Sequence, residues 1–279
     1  MKAHVIGSVI ALVVFAGCSR PANHIPAGAA RVFDLRTGDE LSVKKAAKAD
    51  GYYGTIEEPG QFISFVRYNP DAFQTTLVHA EGEQADSTSA LCLGCDAFAG
   101  INGSYFNMQE LTPVTFVKDD GFVITDSEGG LMERAGGAVI LNVEGVRIDA
   151  CDTTDTFDKD WEVLVAGPVL LDDGQVFPND PDASFNATRH PRSLIGKDAD
   201  GGVWLVVVDG RFPGEAEGMS IAELTELSRR LGLTEALNLD GGGSSTLWVL
   251  PAGVLNHPCD NRQFDHEGQR IVPNAIVAR

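Results

Sequence analysis

Apolar residues along this chain fall mostly into short runs, and turn residues separate them. Residues 60–68 and 73–79 read as strands joined at Asn69-Pro70-Asp71. Residues 87–97 predict a short helix capped by Ser87 or Ser89. Short strands follow at 114–118, 122–125, 137–142 and 146–149, with turns at Asp119-Asp120-Gly121 and at residues 142–145. Further strands are predicted at 163–171, 236–240, 246–249 and 271–278. Residues 203–208 are continuously apolar, which predicts a strand buried on both faces. Residues 31–48 carry a weaker pattern, a strand followed by a polar helix.

One helix is strongly marked. Ser220 caps it, Glu223 completes a capping box, and Ile221, Leu224, Leu227 and Leu231 share a face. Gly232 ends it. The helix joins two buried strands, a pattern that predicts a crossover between neighbouring parallel strands. Asp209 and Asp240 then stand at the same sheet edge, at the ends of adjacent strands. The predicted class is α+β: a mixed, curved β-sheet with few helices and one strand–helix–strand crossover leading to a glycine-rich stretch.

That stretch is Asp240-Gly241-Gly242-Gly243-Ser244-Ser245. Glycine lets a ligand approach the backbone closely. A tight hairpin turn accounts for the glycines but not for the acid and the hydroxyls beside them. Familiar glycine motifs do not fit. A P-loop needs a Lys that is missing here, and a nucleophile elbow needs Gly where Thr246 stands. Asn102, in Ile101-Asn102-Gly103-Ser104-Tyr105-Phe106, is an amide among apolar neighbours and must be hydrogen-bonded.

Composition narrows the partners and the address. Residues 1–17 read as a signal peptide: Lys2, then an apolar run from Val5 to Phe15. Ala16-Gly17-Cys18 resembles a lipobox, with Cys18 as the lipidated residue. That predicts an exported cell-envelope lipoprotein, at the outer membrane if the cell is Gram-negative, touching the membrane only through its N-terminal lipid. Residues 18–30 read as a tether. Lys2 is the only charge in the signal, so its removal takes the net charge from −19 to −20. This charge disfavours nucleic acid and anionic membrane surfaces, though local arginines could still hold an anionic substrate.

The remaining cysteines, Cys92, Cys95, Cys151 and Cys259, suggest two disulfides in an exported protein, with the pairing open. Zinc at Cys92-Leu93-Gly94-Cys95 lacks a second ligand pair. No cofactor is certain from the residues. A structural or catalytic divalent cation, Ca2+ or Mg2+, stays open; the acidic residues 152–160 lack the EF-hand spacing.

Asn238-Leu239-Asp240-Gly241-Gly242-Gly243-Ser244-Ser245-Thr246 strongly resembles the signature of the phosphodiester glycosidases, the relatives of the lysosomal uncovering enzyme. Asn102-Gly103-Ser104-Tyr105-Phe106 is similar to their second signature. Ala166-Gly167-Pro168, Arg192-Ser193-Leu194-Ile195-Gly196 and Asp209-Gly210-Arg211 match further stretches. The resemblance covers residues 60–279 and implies a phosphodiester glycosidase domain over 31–279. The long loops at 172–188 and 256–270 depart from the family pattern.

The resemblance implies cleavage of a sugar C1–O–phosphate bond, releasing sugar and a phosphomonoester. A phosphate oxygen is a good leaving group, so cations and amide donors matter more than strong protonation. Arg192 and Arg211 are candidate phosphate ligands, with backbone N–H groups from Gly241, Gly242 and Gly243. Asp240 is the leading catalytic carboxylate and Asp209 the second; His190 could move a proton or be structural. Asn102, Asn238, Ser244 and Ser245 would bind sugar or orient the acids. Two other readings stay open: a surface protein that binds glycans without cutting them, and a phosphodiesterase that cuts the P–O bond.

Overall fold

The computed structural model describes residues 10–15, 30–33, 50–80, 85–127, 134–152 and 155–279. Cys18 and residues 18–29 of the predicted tether lie outside the described residues, as do residues 34–48 of the predicted strand and polar helix. Among the described residues, no helix is long and apolar enough to cross a membrane.

The fold class is α+β; among the described residues strands dominate and there are three α-helices. The strands that build the site are β1 (Gln61–Tyr68), β2 (Ala99–Asn102), β3 (Arg192–Asp198), β4 (Val203–Val208), β5 (Leu233–Asn238), β6 (Leu247–Val249) and β7 (Asn274–Ala278). The helices are α1 (Thr88–Gly94), α2 (Ser184–Ala187) and α3 (Ile221–Arg230). The largest sheet has nine strands, and β5, β3, β4 and β1 lie side by side in it in that order. A five-stranded sheet contains β6, β2 and β7, and a second five-stranded sheet spans Val117–Asp119 to Glu162–Ala166. All the described ladders are antiparallel.

β4 reads as buried on both faces, and it is. Trp204, Val206 and Val208 pack with Leu224, Leu227 and Leu231 of the α3 segment. Leu205 and Val207 point the other way, toward Ile101, Leu164, Leu237 and Ile276. Each such leucine or valine contributes about 1.5–3 kcal/mol by leaving water. Helix α3 carries the capping box read from sequence: Glu223 N–H donates to Ser220 Oγ at 3.3 Å, and Ser220 N–H donates to the Glu223 carboxylate at 2.9 Å.

Three expectations are corrected. First, the two strands of the crossover run the same way but are not neighbours. β3 pairs antiparallel with both β4 and β5 and lies between them. The helix therefore spans one strand more than predicted, and Arg192 lies between the two acid-bearing strand ends. Second, the apolar run at 163–171 is two strands. Gly167-Pro168 interrupts it, and Glu162–Ala166 and Val169–Asp172 join different sheets.

Third, the disulfides expected among Cys92, Cys95, Cys151 and Cys259 are not formed; all four are free thiols. Cys92, Cys151 and Cys259 pack in three separate apolar clusters. Cys95 caps the helix that holds Cys92, and its Sγ donates to the Cys92 carbonyl at 3.5 Å instead.

Candidate active site

Two sheets meet where β2, β4 and β5 end and β3 begins. Asn102, the last residue of β2, ties them together. Its Nδ2 donates to the Asp240 carbonyl at 2.7 Å. Its Oδ1 accepts from Ser193 Oγ at 2.8 Å and from Thr246 N–H at 3.2 Å. This buried amide thus has the partners its burial demands, and it fixes the main chain on both sides of the glycine run.

Asp240 follows β5, and its N–H donates to the Gly103 carbonyl at 3.2 Å. The residue is half-buried, yet protein surrounds its carboxylate closely. Burial pushes its pKa up to about 6, against the opposing pull of the Ser244 hydroxyl, Arg270, the Gly241 N–H and Arg134. It therefore changes charge near neutral pH, as a reacting carboxyl group does. Arg134 is exposed and lies over the rings of Tyr105 and Phe185, at 5.5 and 5.1 Å.

The glycine run is crowded by its neighbours. Gly242 has φ +66°, and a Cβ there would lie 2.9 Å from Arg211 Nη2. Gly242 N–H donates to the Pro191 carbonyl at 2.9 Å, and Gly241 N–H serves Asp240. Two of the three amides expected for phosphate are thus already engaged. Arg211 is exposed and holds a left-handed backbone at φ 67°, a conformation that a non-glycine residue adopts only when its surroundings impose it. Its Nη1 reaches Cys259 Sγ at 3.7 Å, and it forms no salt bridge among the described residues. Ser244, Ser245 and Thr246 are buried, and their hydroxyls meet no standard hydrogen-bond partner. Ser244 alone is close enough to Asp240 to help hold its charge.

Asp209 sits differently. It is 1% exposed. Its Oδ1 accepts from Asn256 Nδ2 at 3.0 Å, and its Oδ2 accepts from His257 N–H at 2.9 Å and meets His257 Nδ1 at 2.8 Å. Burial raises its pKa and these donors oppose the rise. His257 in turn stacks on Phe264 at 3.7 Å and on His266 at 4.6 Å. Asn256 also donates to the Ser245 carbonyl at 3.0 Å, which links this cluster to the end of the glycine run.

Three other sequence candidates are held in place by bonds of their own. Arg192 is 1% exposed, and its guanidinium donates to the carbonyls of Met219, Phe185 and Thr188 at 2.8–3.0 Å. Burial lowers its pKa to about 10. Asn238 is fully buried and donates to Tyr105 Oη, Gly167 O and Leu239 O. His190 is half-buried, bridges Met219 through its backbone, and has its pKa lowered by burial and by Arg192 and Arg211.

Sequence reasoning missed Arg134, Arg270, His257 and Asn256. Arg270 and Asn256 sit in the stretch read only as a polar loop, and Arg134 sits between two strands. No local spacing marks them; only the fold brings them to Asp240 and Asp209. Among the described residues no group of three or more His, Cys, Asp or Glu side chains gathers as metal ligands.

Comparison with known proteins gives the family and the fold. The sequence model of the family described as phosphodiester glycosidase matches residues 96–279. The mouse N-acetylglucosamine-1-phosphodiester alpha-N-acetylglucosaminidase is 27% identical over 181 residues, which cover 58% of this chain and 33% of the mouse protein. The human counterpart is 27% identical over 187 residues, covering 60% of this chain and 35% of its own. The chain thus spans about a third of the length of these curated relatives. Among solved structures, the zebrafish catalytic domain of that enzyme, auto-inhibited by its pro-peptide, superposes with a TM-score of 0.64 at 15% identity. The match covers 84% of this chain and 85% of the zebrafish one. A protein from Synechocystis gives a TM-score of 0.60 at 16% identity, over 82% of this chain and 62% of its own.

Proposed function

Because the chain belongs to the phosphodiester glycosidase family, we propose that it hydrolyses a sugar-1-phosphodiester at the C1–O bond, releasing free sugar and a phosphomonoester. The observation that carries this reading is Asp240, a carboxylate enclosed beside the glycine run with Arg134 and Arg270 near it and its pKa raised to about 6. One anion at the reacting carbon and cations at the leaving group are what this bond requires. Positive charge develops at C1 as the bond to oxygen lengthens, and ionised Asp240 stabilises it. Negative charge grows on the departing phosphate, where Arg211, at the Gly242 rim, meets it. Water completes the reaction at C1. The buried Ser244 hydroxyl helps hold the charge on Asp240, and the Ser245 hydroxyl beside it meets no hydrogen-bond partner among the described residues. Asn102 keeps the Asp240 backbone in place, and Asp209 acts by orienting His257 rather than by touching substrate.

N-acetylglucosamine is the first sugar to test, from the names of the mouse and human relatives. The signal and lipobox support an exported, lipid-anchored protein in the cell envelope, and Cys18→Ala should release it from membranes. The deciding assay incubates purified protein with a panel of glycosyl-1-phosphodiesters and identifies the products. Free sugar with a phosphomonoester supports the proposal. Sugar phosphate means P–O cleavage, and no product from any substrate means a binding protein.

A further inference from the structure

Asp260, within the polar loop, and Arg270, at its end, meet across the third glycine. Arg270 Nε donates to Asp260 Oδ2 at 2.7 Å, and Nη2 donates to Oδ1 at 2.8 Å. A Cβ on Gly243 would lie 2.0 Å from Asp260 Oδ1 and 2.1 Å from Arg270 Nη2, so any side chain there would displace the pair. Burial works against the Arg270 charge, while Asp260, Asp240 and Cys259 all favour it, which places the guanidinium among these groups.

The contact with Asp260 is side-on and uses only one edge of the planar guanidinium. The edge made by Nη1 and the second hydrogen of Nη2 points away from that carboxylate, because the five donors are fixed in one plane. Arg270 and Asp260 are both partly exposed, so a ligand can reach them. An oxyanion on the free edge receives two parallel N–H bonds, the geometry that suits phosphate.

We infer that Asp260 is a positioning residue: it clamps Arg270 over Gly243, so that the free edge of the guanidinium takes the substrate phosphate beside Asp240. This inference deepens the glycosidase reading and rests on it for the reaction, but not for the phosphate site. The clamp also explains the third glycine, since Gly242 answers to Arg211 and Gly243 to this pair. Charge is supplied by Arg270 whether or not Asp260 is present; what Asp260 adds is orientation.

The test compares the parent protein with Asp260→Asn, Arg270→Lys, Arg270→Met and Gly243→Ala. Binding of inorganic phosphate is measured by calorimetry, and KM and kcat are measured on a glycosyl-1-phosphodiester. Asp260→Asn should weaken phosphate binding ~10-fold and raise KM more than it lowers kcat, because the cation survives but its orientation is lost. Arg270→Lys should weaken binding by a similar ~10-fold although it keeps the charge, because the fork is gone. Gly243→Ala should reproduce the loss. Arg270→Met should in addition move the acidic limb of the pH–rate profile upward, since Asp240 loses a neighbour that lowers its pKa, leaving Arg134, Ser244 and the Gly241 N–H.

If Asp260→Asn proves too unstable to assay, Arg270→Lys carries the decision, with a thermal melt confirming its fold. A parent that binds phosphate more tightly than the folded Asp260→Asn or Arg270→Lys variant but releases no sugar leaves the clamp standing and refutes the reaction. Asp260→Asn with unchanged KM and phosphate affinity in an active enzyme refutes the clamp and leaves the reaction standing. A parent that binds no phosphate refutes the clamp outright.

Discussion

Asp209 and Asp240 are the two acids that follow apolar strands at one edge of the large sheet, and they could hardly be treated more differently. Asp209 is sealed in, and Asn256 and His257 engage both of its oxygens. Asp240 is enclosed too, but it keeps a path to solvent and is faced by arginines rather than bonded to a histidine. The strands supply equivalent positions. The difference comes from what packs over each end: the first turn of the 256–270 loop over Asp209, and the glycine run with Arg270 over Asp240. The same residue type thus becomes an anchor at one strand end and a reacting group at the other.

The sharpest way to break this comparison is to remove the charge at each end. Asp240→Asn keeps the shape, and activity should fall ~10²-fold or more while the thermal melt stays near the parent's. Near-parent turnover in a folded Asp240→Asn protein would make Asp240 structural and sink the mechanism. Asp209→Ala should show the opposite pattern. It leaves the Asn256 amide and the His257 donors buried without an acceptor, which costs about 2–4 kcal/mol of stability, read as a lower denaturant midpoint. Asp209→Asn should recover little, because it replaces one of two needed acceptors with a donor. If both Asp209 variants lose activity with no loss of stability, the sealed acid takes part in the chemistry after all.

A smaller effect separates the arginines. Arg211 is exposed, strained and free of carboxylate partners among the described residues, whereas Arg192 is engaged by three carbonyls. Arg211→Lys should raise KM ~10-fold with little change in stability, because Lys cannot present a bidentate fork. Arg192→Lys should act mainly on the denaturant midpoint. Equal KM effects from the two would mean that Arg192 reaches the phosphate.

Much of this contrast was hidden in the sequence, and the reasons are physical. The α3 capping box, the doubly buried β4 and the Asp240 glycine run were legible because each is a local pattern. The demand that Asn102 be hydrogen-bonded was legible too, since burial of an amide forces it. The insertion of β3 between β4 and β5 was not, because strand pairing between distant segments leaves no local signal. The carbonyls of Phe185, Thr188 and Met219 that engage Arg192 were not legible either, because its spacing says nothing about them. The disulfides failed for a similar reason: an even cysteine count carries no distance. His257 and Arg270 became visible only when the fold brought their loop over the two strand ends.

The dependence of stability on pH is the cleanest probe of enclosure at Asp240. The folded-state pKa of Asp240 is about 6, above the ordinary 3.8. Folding therefore favours the protonated form. Its contribution to stability is fully present below the unfolded value and is lost as pH rises through the folded value, because the native state must then carry a charge that burial disfavours. Asp209 is also shifted upward, so it adds a slope of the same sign. The measurement is a set of denaturant midpoints for the parent and for Asp240→Asn across the window from about 3.8 to about 6 named by the Asp240 shift. The parent should lose stability relative to the variant as pH rises through that window, and the remaining slope of the variant should reflect Asp209 and the other groups. Activity should run the other way, appearing as pH rises through the same value, because the ionised carboxylate is the working form. Parallel stability curves would mean that Asp240 is solvated like an ordinary surface acid, and the distinction between the two strand ends would then rest on Asp209 alone.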